Sequence, residues 1–245
     1  MIKSFYADAT PLKDPAVMQK YYEALSEERR QKADRCGASS HKLLSVAAGF
    51  LLEEKLSTLF GIPKDRIQYR TVQNGKPVLT GEADGISFNL SHSKSCVLCT
   101  LADTRPADRR KTSHIRDREL LLGCDIEKIR PVDLRLAGRF FYKSEHEYIM
   151  SRPNEEEAQK AFFRLWTLKE SYMKAVGLGF ALPLNEFEIS FDENDRARVS
   201  QNGGMKDFRF DEYEREGFRI AVCCPETVAR DGDPGTLEKY EWHEI

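Results

Sequence analysis

The stretch that most constrains the fold is 162–177, because it reads as a helix with two charged residues on its apolar side. Apolar side chains recur at three- and four-residue steps, no proline interrupts them, and Gly177 can cap the end. At roughly 100° per residue, Lys169 and Glu170 fall inside the broad apolar arc. The narrower remainder carries Arg164, Thr167, Ser171 and Lys174. A carboxylate in an apolar arc is costly unless it is paired or binds a metal. Glu170 therefore belongs either to a local ion pair with Lys174 or to a functional site.

Chain length and charge set the broad class. The 245 residues allow one large domain or two small ones, and the net charge of -2 gives no reason to expect nucleic acid binding. No apolar run approaches the roughly 20 residues of a membrane span. The N-terminus lacks the apolar core of a signal peptide, so we expect a cytoplasmic protein. Cys96 and Cys99 lie in an alternating run that predicts buried free thiols rather than half of a zinc site.

The local patterns alternate between helix and strand. They predict strands near 2–8, 67–71, 86–93, 96–101, 119–129, 187–191, 206–213 and 218–224. They predict helices from Ser26, over 40–60, near 133–150 and over 155–176. Residues 102–118 are interpreted as an exposed basic loop, and the chain after Pro225 as loosely ordered. Each half thus offers helices followed by strands, which favours an α+β fold.

A pair of carboxylates, Asp125 and Glu127, lies in the strand near 124. Period-two geometry places both on one face, roughly 7 Å apart, with Cys124 and Ile126 on the other. Two such carboxylates repel unless a cation lies between them, and Mg²⁺ is the hard cation that binds one or two carboxylates together with substrate phosphates. Solvated charges on an exposed strand are the alternative. The intruding acid at Glu170 favours the metal site.

Basic and hydroxyl residues could supply a complementary anion site. Arg29 and Lys32 lie about one turn apart, Lys42 begins the next helix, Lys76 sits beside a turn, and Ser91 and His92 end a strand. Each is individually weak evidence, because lysines and arginines on helices are usually solvated. Collectively they could bind a multiply phosphorylated ligand.

Several ordered motifs resemble one family over residues 2 to 224. The segments Gly123-Cys124-Asp125-Ile126-Glu127 and Trp166-Thr167-Leu168-Lys169-Glu170-Ser171-Tyr172-Met173-Lys174-Ala175-Val176-Gly177 are similar to the 4′-phosphopantetheinyl transferases of the surfactin-synthetase-activating type. Also similar are Gly75-Lys76-Pro77, Phe88-Asn89-Leu90-Ser91-His92-Ser93 and Phe140-Phe141-Tyr142-Lys143-Ser144-Glu145.

The resemblance implies an enzyme, a holo-[acyl-carrier-protein] synthase, that transfers 4′-phosphopantetheine from coenzyme A to a serine of an apo acyl or peptidyl carrier protein. Adenosine 3′,5′-bisphosphate would be released, and Mg²⁺, with Mn²⁺ as an alternative, would be required. The implied fold is two similar α+β halves related by a pseudo-twofold axis, here 1–120 and 121–228, with the active site at their junction and 229–245 as a tail. A monomer is expected, with no nucleic acid or membrane partner.

The resemblance also implies roles by position. The metal ligands would be Asp125, Glu127 and Glu170. Glu170 would also be the base for the serine hydroxyl, Lys174 would protonate or stabilise the leaving oxygen, and Lys169 would neutralise phosphate charge. Coenzyme-binding positions would be Arg29, Lys32, Lys42, Lys76, Pro77, Ser91 and His92. Glu145 matches an acid close to the site.

Some features depart from the family pattern. Arg29 stands where a lysine is common, and Lys42 where a hydroxyl residue often stands. The 102–118 loop is longer and more basic than usual, either as a tolerated surface insertion or as a contact for a carrier-protein helix through Arg109, Arg110 and Lys111. A silent coenzyme A-binding module and another Mg²⁺-dependent phosphotransferase are the competing functions. The intact carboxylates and lysines disfavour the first, and the absence of a Walker-type glycine loop disfavours the second.

Overall fold

The computed structural model describes residues 2–72, 75–103, 121–229 and 235–243. These fall into two compact units. The N-terminal unit consists of residues 2–103 together with 235–243, and the C-terminal unit of residues 121–229. Among the described residues, no helix is both long enough and apolar enough to cross a membrane. Each unit mixes helices with sheets, in keeping with the predicted α+β class.

The N-terminal unit is built on a four-stranded sheet and one long helix. Its helices are α1 (Pro15–Glu23), α2 (Glu27–Asp34) and α3 (Ser39–Phe60). Its strands are β1 (Ile2–Asp8), β2 (Ile67–Thr71), β3 (Pro77–Gly81), β4 (Ile86–Ser93), β5 (Cys96–Asp103) and β12 (Thr236–Lys239). The sheet order is β12-β1-β5-β4, and β2 and β3 form a separate antiparallel pair. The apolar helix α3 packs against β4 and β5, and its buried side chains supply much of the core.

The C-terminal unit also has one long helix packed on a sheet. Its helices are α4 (Arg135–Phe140), α5 (Lys143–Met150) and α6 (Glu155–Val176). Its strands are β6 (Gly123–Lys128), β7 (Phe187–Phe191), β8 (Ala197–Gln201), β9 (Gly204–Lys206), β10 (Phe208–Arg215) and β11 (Phe218–Pro225). One sheet has the order β10-β11-β6 and the other β7-β8-β9. Helix α6 packs against β6 and β11.

Capping residues explain where helix α6 begins and ends. The Asn154 side chain accepts a hydrogen bond from Glu157 N at 2.9 Å, and acidic residues fill the first turn of α6. Gly177, in the left-handed region at φ 72°, ends the helix. The helix predicted over 155–176 is therefore confirmed at both ends.

Other predicted elements needed revision. The single helix predicted near 133–150 is wrong: Phe141, in extended backbone with ψ 166°, separates α4 from α5. Helix α1 and the strands β3, β8, β9 and β12 were not predicted. Residues 104–118 of the predicted basic loop lie outside the described residues.

The prediction of a loosely ordered tail is wrong for its described part. Strand β12 pairs in parallel with β1, and Tyr240 N donates to the carbonyl oxygen of Tyr6 at 2.8 Å. Tyr240 is buried, and Trp242 packs edge-on against Tyr21 at 5.1 Å between ring centroids. Aromatic burial orders this segment, which its local sequence pattern did not indicate.

Trp242→Ala should lower the free energy of unfolding by about 2 kcal/mol, because a half-buried indole and its hydrogen bond to the Asp8 carbonyl oxygen are lost. Denaturant unfolding of the purified variant measures this. Glu241→Ala is the matched control, since Glu241 is exposed and forms only a surface ion pair with Lys239 at 3.6 Å. Equal midpoints for both variants would contradict an ordered tail.

Candidate active site

The carboxylate strand β6 lies directly beneath α6. A Cβ atom added at Gly123 would lie 2.0 Å from the Ser171 carbonyl oxygen and 2.4 Å from Ala175 N. Gly123 therefore faces the helix at a distance that no side chain permits. Asp125 and Glu127 alternate with buried residues and share the face of Gly123. The α6 helix thus covers the carboxylate face, and Asp125 is buried rather than solvent-facing.

Lys174 links the helix to the strand. Its ammonium group donates hydrogen bonds to Asp125 Oδ1 at 2.7 Å and to the Cys124 carbonyl oxygen at 3.2 Å. Burial by itself lowers the pKa of Lys174, but Asp125, Cys124 and Glu170 together oppose this effect, and the net pKa is raised. Lys174 therefore remains a proton-bearing cation at neutral pH.

Glu170 lies one turn before Lys174 and is half-buried. Its pKa is raised, first by desolvation, then by the Asp125 carboxylate and to a lesser degree by Glu127, while Lys174 opposes the shift. The three carboxylates predicted as metal ligands thus act on one another electrostatically. Because Lys174 pairs with Asp125 on β6, a purely local Glu170–Lys174 pair does not account for the arrangement.

The exposed side of α6 is not the polar remainder predicted from a spacing of roughly 100° per residue. Thr167 and Ser171, on the polar remainder, are buried, and their hydroxyl groups donate to carbonyl oxygens of the preceding turn. The half-buried residues Trp166, Glu170 and Lys174 follow one another at four-residue steps. They form a single stripe that carries both the acid and the ammonium group.

The donor set fits a hard divalent cation in chemistry but does not form a complete cage. Among the described residues, no three His, Cys, Asp or Glu side chains converge closely enough to enclose a metal ion. Mg²⁺ does not need such a cage, because it usually binds one or two carboxylates and completes its shell with water and substrate phosphates. Asp125 and Glu127 both raise the pKa of Glu170, and a bound cation would oppose this repulsion between carboxylates.

Lys169 occupies a different environment from the one predicted. It is 0% exposed, and its ammonium group donates to Glu145 Oε1 at 2.5 Å and to the Phe187 carbonyl oxygen at 2.7 Å. Glu145 also accepts from Ile189 N at 2.6 Å and from Tyr142 N at 2.8 Å. Burial raises the pKa of Glu145 and lowers that of Lys169, each against the effect of its partner. This geometry supports an internal cross-link of α5, α6 and β7, and not the predicted contact of Lys169 with phosphate.

Arg29, in the N-terminal unit, is the most unusual of the predicted coenzyme-binding residues. It is 5% exposed, yet its guanidinium group forms no hydrogen bond or ion pair with any of the described residues. Its Cζ lies 5.5 Å from the centroid of the Tyr69 ring, within the range of a cation–π contact. A buried cation without a counter-ion is costly. It therefore indicates a place for an anion from outside the described chain.

The other predicted coenzyme-binding residues lie on several elements of the same unit. The pKa of Lys32 is lowered, first by desolvation of its ammonium group and then by the Arg29 charge. Lys42 forms an ion pair with Asp34 at 2.7 Å on the surface. Lys76 precedes β3, Pro77 begins it, and Ser91 and His92 lie on β4, with Ser91 buried and His92 exposed. Arg109, Arg110 and Lys111 lie outside the described residues.

Two residues near Arg29 escaped the sequence analysis. Glu53 is fully buried on α3, and Gly49 lies one turn before it. The signal was present, because Glu53 is an acid inside an apolar helical pattern, as Glu170 is.

Comparison with known proteins gives one consistent family. The family model of the 4′-phosphopantetheinyl transferase superfamily matches residues 121–223, which contain β6 and α6. The 4′-phosphopantetheinyl transferase HetI of Nostoc sp. is 34% identical over 194 residues, covering 77% of this chain and 75% of the relative. The transferase Sfp of Bacillus subtilis (strain 168) is 27% identical over 207 residues, covering 84% of each chain. The transferase gsp of Aneurinibacillus migulanus is 28% identical over 199 residues, covering 81% of this chain and 76% of the relative.

These matches span both units, and the predicted resemblance is confirmed. The chain therefore belongs to the 4′-phosphopantetheinyl transferase superfamily and is an enzyme of its surfactin-synthetase-activating type.

Proposed function

We propose that the protein transfers the 4′-phosphopantetheine arm of coenzyme A to a serine of an apo acyl or peptidyl carrier protein. Adenosine 3′,5′-bisphosphate is the second product. The observation that carries the proposal is the convergence of Asp125, Glu170 and Lys174 at the contact of β6 and α6. A raised-pKa acid and a protonated lysine one turn apart are the groups that a serine nucleophile and a phosphate leaving group require.

This geometry supports an assignment of the proton transfers. The serine oxygen forms a bond to the phosphorus next to the pantetheine arm, and the bond from that phosphorus to the bridging oxygen breaks. Glu170, directly or through water, accepts the serine proton, and its raised pKa makes it a stronger base than an exposed glutamate. Lys174 donates a proton or hydrogen bond to the leaving oxygen, while its pairing with Asp125 keeps it charged beforehand.

Asp125, Glu127 and Glu170 are the residues that would hold Mg²⁺ or Mn²⁺. When bound, the ion would neutralise charge on the diphosphate oxygens. Asp125 also holds the Lys174 ammonium group beside this donor set, at 2.7 Å from its Oδ1.

Coenzyme binding is assigned to the basic residues of the N-terminal unit. Arg29 supports this most strongly, because its buried guanidinium has neither a hydrogen bond nor an ion pair among the described residues. A phosphate group would supply both the charge and the acceptors. Lys32, Lys76, Pro77, Ser91 and His92 are proposed to contact the rest of the nucleotide. Lys42 would have to leave its ion pair with Asp34 to take part.

Three further features stay predictions of the resemblance. They are the pseudo-twofold relation of the two halves with coenzyme A at their junction, the monomeric state, and a carrier contact through Arg109, Arg110 and Lys111. Light scattering tests the second. Carrier affinity after neutralisation of the three basic residues tests the third.

Incubation with coenzyme A, Mg²⁺ and a panel of apo carrier proteins should add one phosphopantetheine to the carrier, seen by intact mass spectrometry. Glu170→Gln should reduce kcat/KM by about 100- to 1000-fold, because a positioned base contributes that much. Glu156→Gln is the matched control on the exposed face of the same helix, where Glu156 pairs only with Lys160. A wild-type protein that modifies no carrier would overturn the function, and a fully active Glu170→Gln would remove Glu170 as the base.

A further inference from the structure

A fully buried carboxylate, Glu53 on α3, lies against the start of α2 in a position that the reaction does not explain. It accepts hydrogen bonds from Ser26 N at 2.9 Å and from Ser26 Oγ at 2.5 Å. Ser26 is the N-cap of α2, and its Oγ accepts in turn from Arg29 N at 3.4 Å. Glu53 therefore fixes Ser26, whose hydroxyl group in turn binds the backbone of Arg29.

Capping alone does not account for Glu53. Ser26 can cap α2 without help, since serine is among the best N-cap residues. Within the described chain, Glu53 forms no ion pair closer than 4 Å, so its burial is offset only by hydrogen bonds. What the carboxylate adds is a fixed register between α2 and α3.

Gly49 opens the space that this register requires. It lies four residues before Glu53, hence on the same face of α3. A Cβ atom added there would lie 3.1 Å from Arg29 Nε and 3.4 Å from Leu25 Cδ2. Glycine is disfavoured in a helix interior. Its presence at position 49 is explained by the space that a side chain would take from the Arg29 guanidinium group.

Tyr69 closes the opposite side of Arg29. Its hydroxyl group donates to Glu53 Oε1 at 3.4 Å, and its ring lies 5.5 Å from Arg29 Cζ. The guanidinium is thus confined between the α3 backbone and an aromatic ring that Glu53 itself orients. Packing, and not ion pairing with the described residues, sets its position.

We propose that Glu53 and Gly49 are positioning residues that preorganise Arg29 to bind a phosphate group of coenzyme A. The inference rests on the proposed function, in which Arg29 contacts that phosphate. Preorganisation lowers the cost of ordering the side chain on binding, so its loss weakens affinity without touching the reacting atoms.

Glu53→Gln tests the proposal, because the amide keeps the size of the side chain but has one acceptor oxygen for the two donors of Ser26. We expect the Kd for adenosine 3′,5′-bisphosphate, measured by calorimetry, and the KM for coenzyme A to rise about tenfold. The value of kcat should stay within about twofold, because Glu53 does not contact the proposed transfer groups. Glu54→Gln is the matched control, since Glu54 is the next residue on α3 and pairs with Lys64 at 3.5 Å instead of binding Ser26.

A double-mutant cycle separates positioning from general destabilisation. In an Arg29→Ala background, Glu53→Gln should add no further loss of affinity, because the group through which it acts is absent. Gly49→Leu, which fills the space of the guanidinium, should weaken binding in the same way, and Arg29→Ala should again mask its effect.

Failure of this proposal is distinguishable from failure of the proposed function. A wild-type protein that binds no adenosine 3′,5′-bisphosphate and transfers nothing would overturn the function. A wild-type protein that binds and transfers, while Glu53→Gln binds equally well, would overturn the positioning role alone. Additive losses in the Arg29→Ala background would also overturn it.

Discussion

Gly123→Ala should reduce kcat/KM for carrier modification by at least about 100-fold, because a shift of about 1 Å at a catalytic constellation has effects of that size. The added Cβ atom would lie 2.0 Å from the Ser171 carbonyl oxygen and 2.4 Å from Ala175 N. Both obstacles are backbone atoms in the middle of a helix, so no side-chain rotation can relieve them. Helix α6 must move away from β6, carrying Glu170 and Lys174 with it.

The same displacement should destabilise the unit by about 1–3 kcal/mol, as overpacking in a core does. Activity must therefore be measured well below the unfolding midpoint, with circular dichroism confirming that the variant is folded. Gly138→Ala is the control: Gly138 lies in helix α4, and a Cβ atom added there would meet only His146, at an ordinary 3.5 Å. Wild-type transfer by Gly123→Ala would show that the close approach of helix and strand is not needed.

This contact shows where sequence reasoning reaches its limit. Periodicity predicted β6 and α6 separately, and period-two geometry put Asp125 and Glu127 on one face, as the structure has them. Gly123 was visible as part of a motif, but the reason for glycine lies in a helix almost fifty residues later that crosses the strand. No local pattern encodes that crossing distance.

The prediction of the polar face of α6 was wrong in part for a related reason. It assigned Arg164 to the polar remainder of α6, whereas Arg164 is buried and binds Glu212 and Asp195 on other elements at 2.7 and 3.0 Å. The prediction of a loosely ordered tail was wrong for the same reason, since β12 pairs with β1 at the other end of the chain. Partners distant in sequence decide whether a polar side is exposed, and a single helix or strand does not reveal them.

Lys169 and Glu170 are adjacent on α6 but have different surroundings, since Lys169 is fully buried and Glu170 half-buried, and Lys169→Met tests whether their roles differ. Loss of the ammonium group leaves Glu145 buried without its cation, which should lower the free energy of unfolding by about 3–5 kcal/mol. Glu145→Ala should cost more than Lys169→Met, because it also removes the acceptor for Ile189 N and Tyr142 N. Denaturant unfolding of both variants measures which of them loses more free energy of unfolding.

Activity distinguishes an internal cross-link from a phosphate contact. If Lys169 acts only within the core, the folded fraction of Lys169→Met should keep a far higher kcat/KM than Lys174→Ala, whose ammonium group lies in the half-buried stripe beside Asp125. The double variant Glu145→Gln with Lys169→Met should recover part of the lost stability, since no unpaired charge then remains buried. Unchanged stability with a loss of activity equal to that of Lys174→Ala would instead place Lys169 on the phosphate. Adjacent charges on one helix, Lys169 and Glu170, would then serve the same site after all.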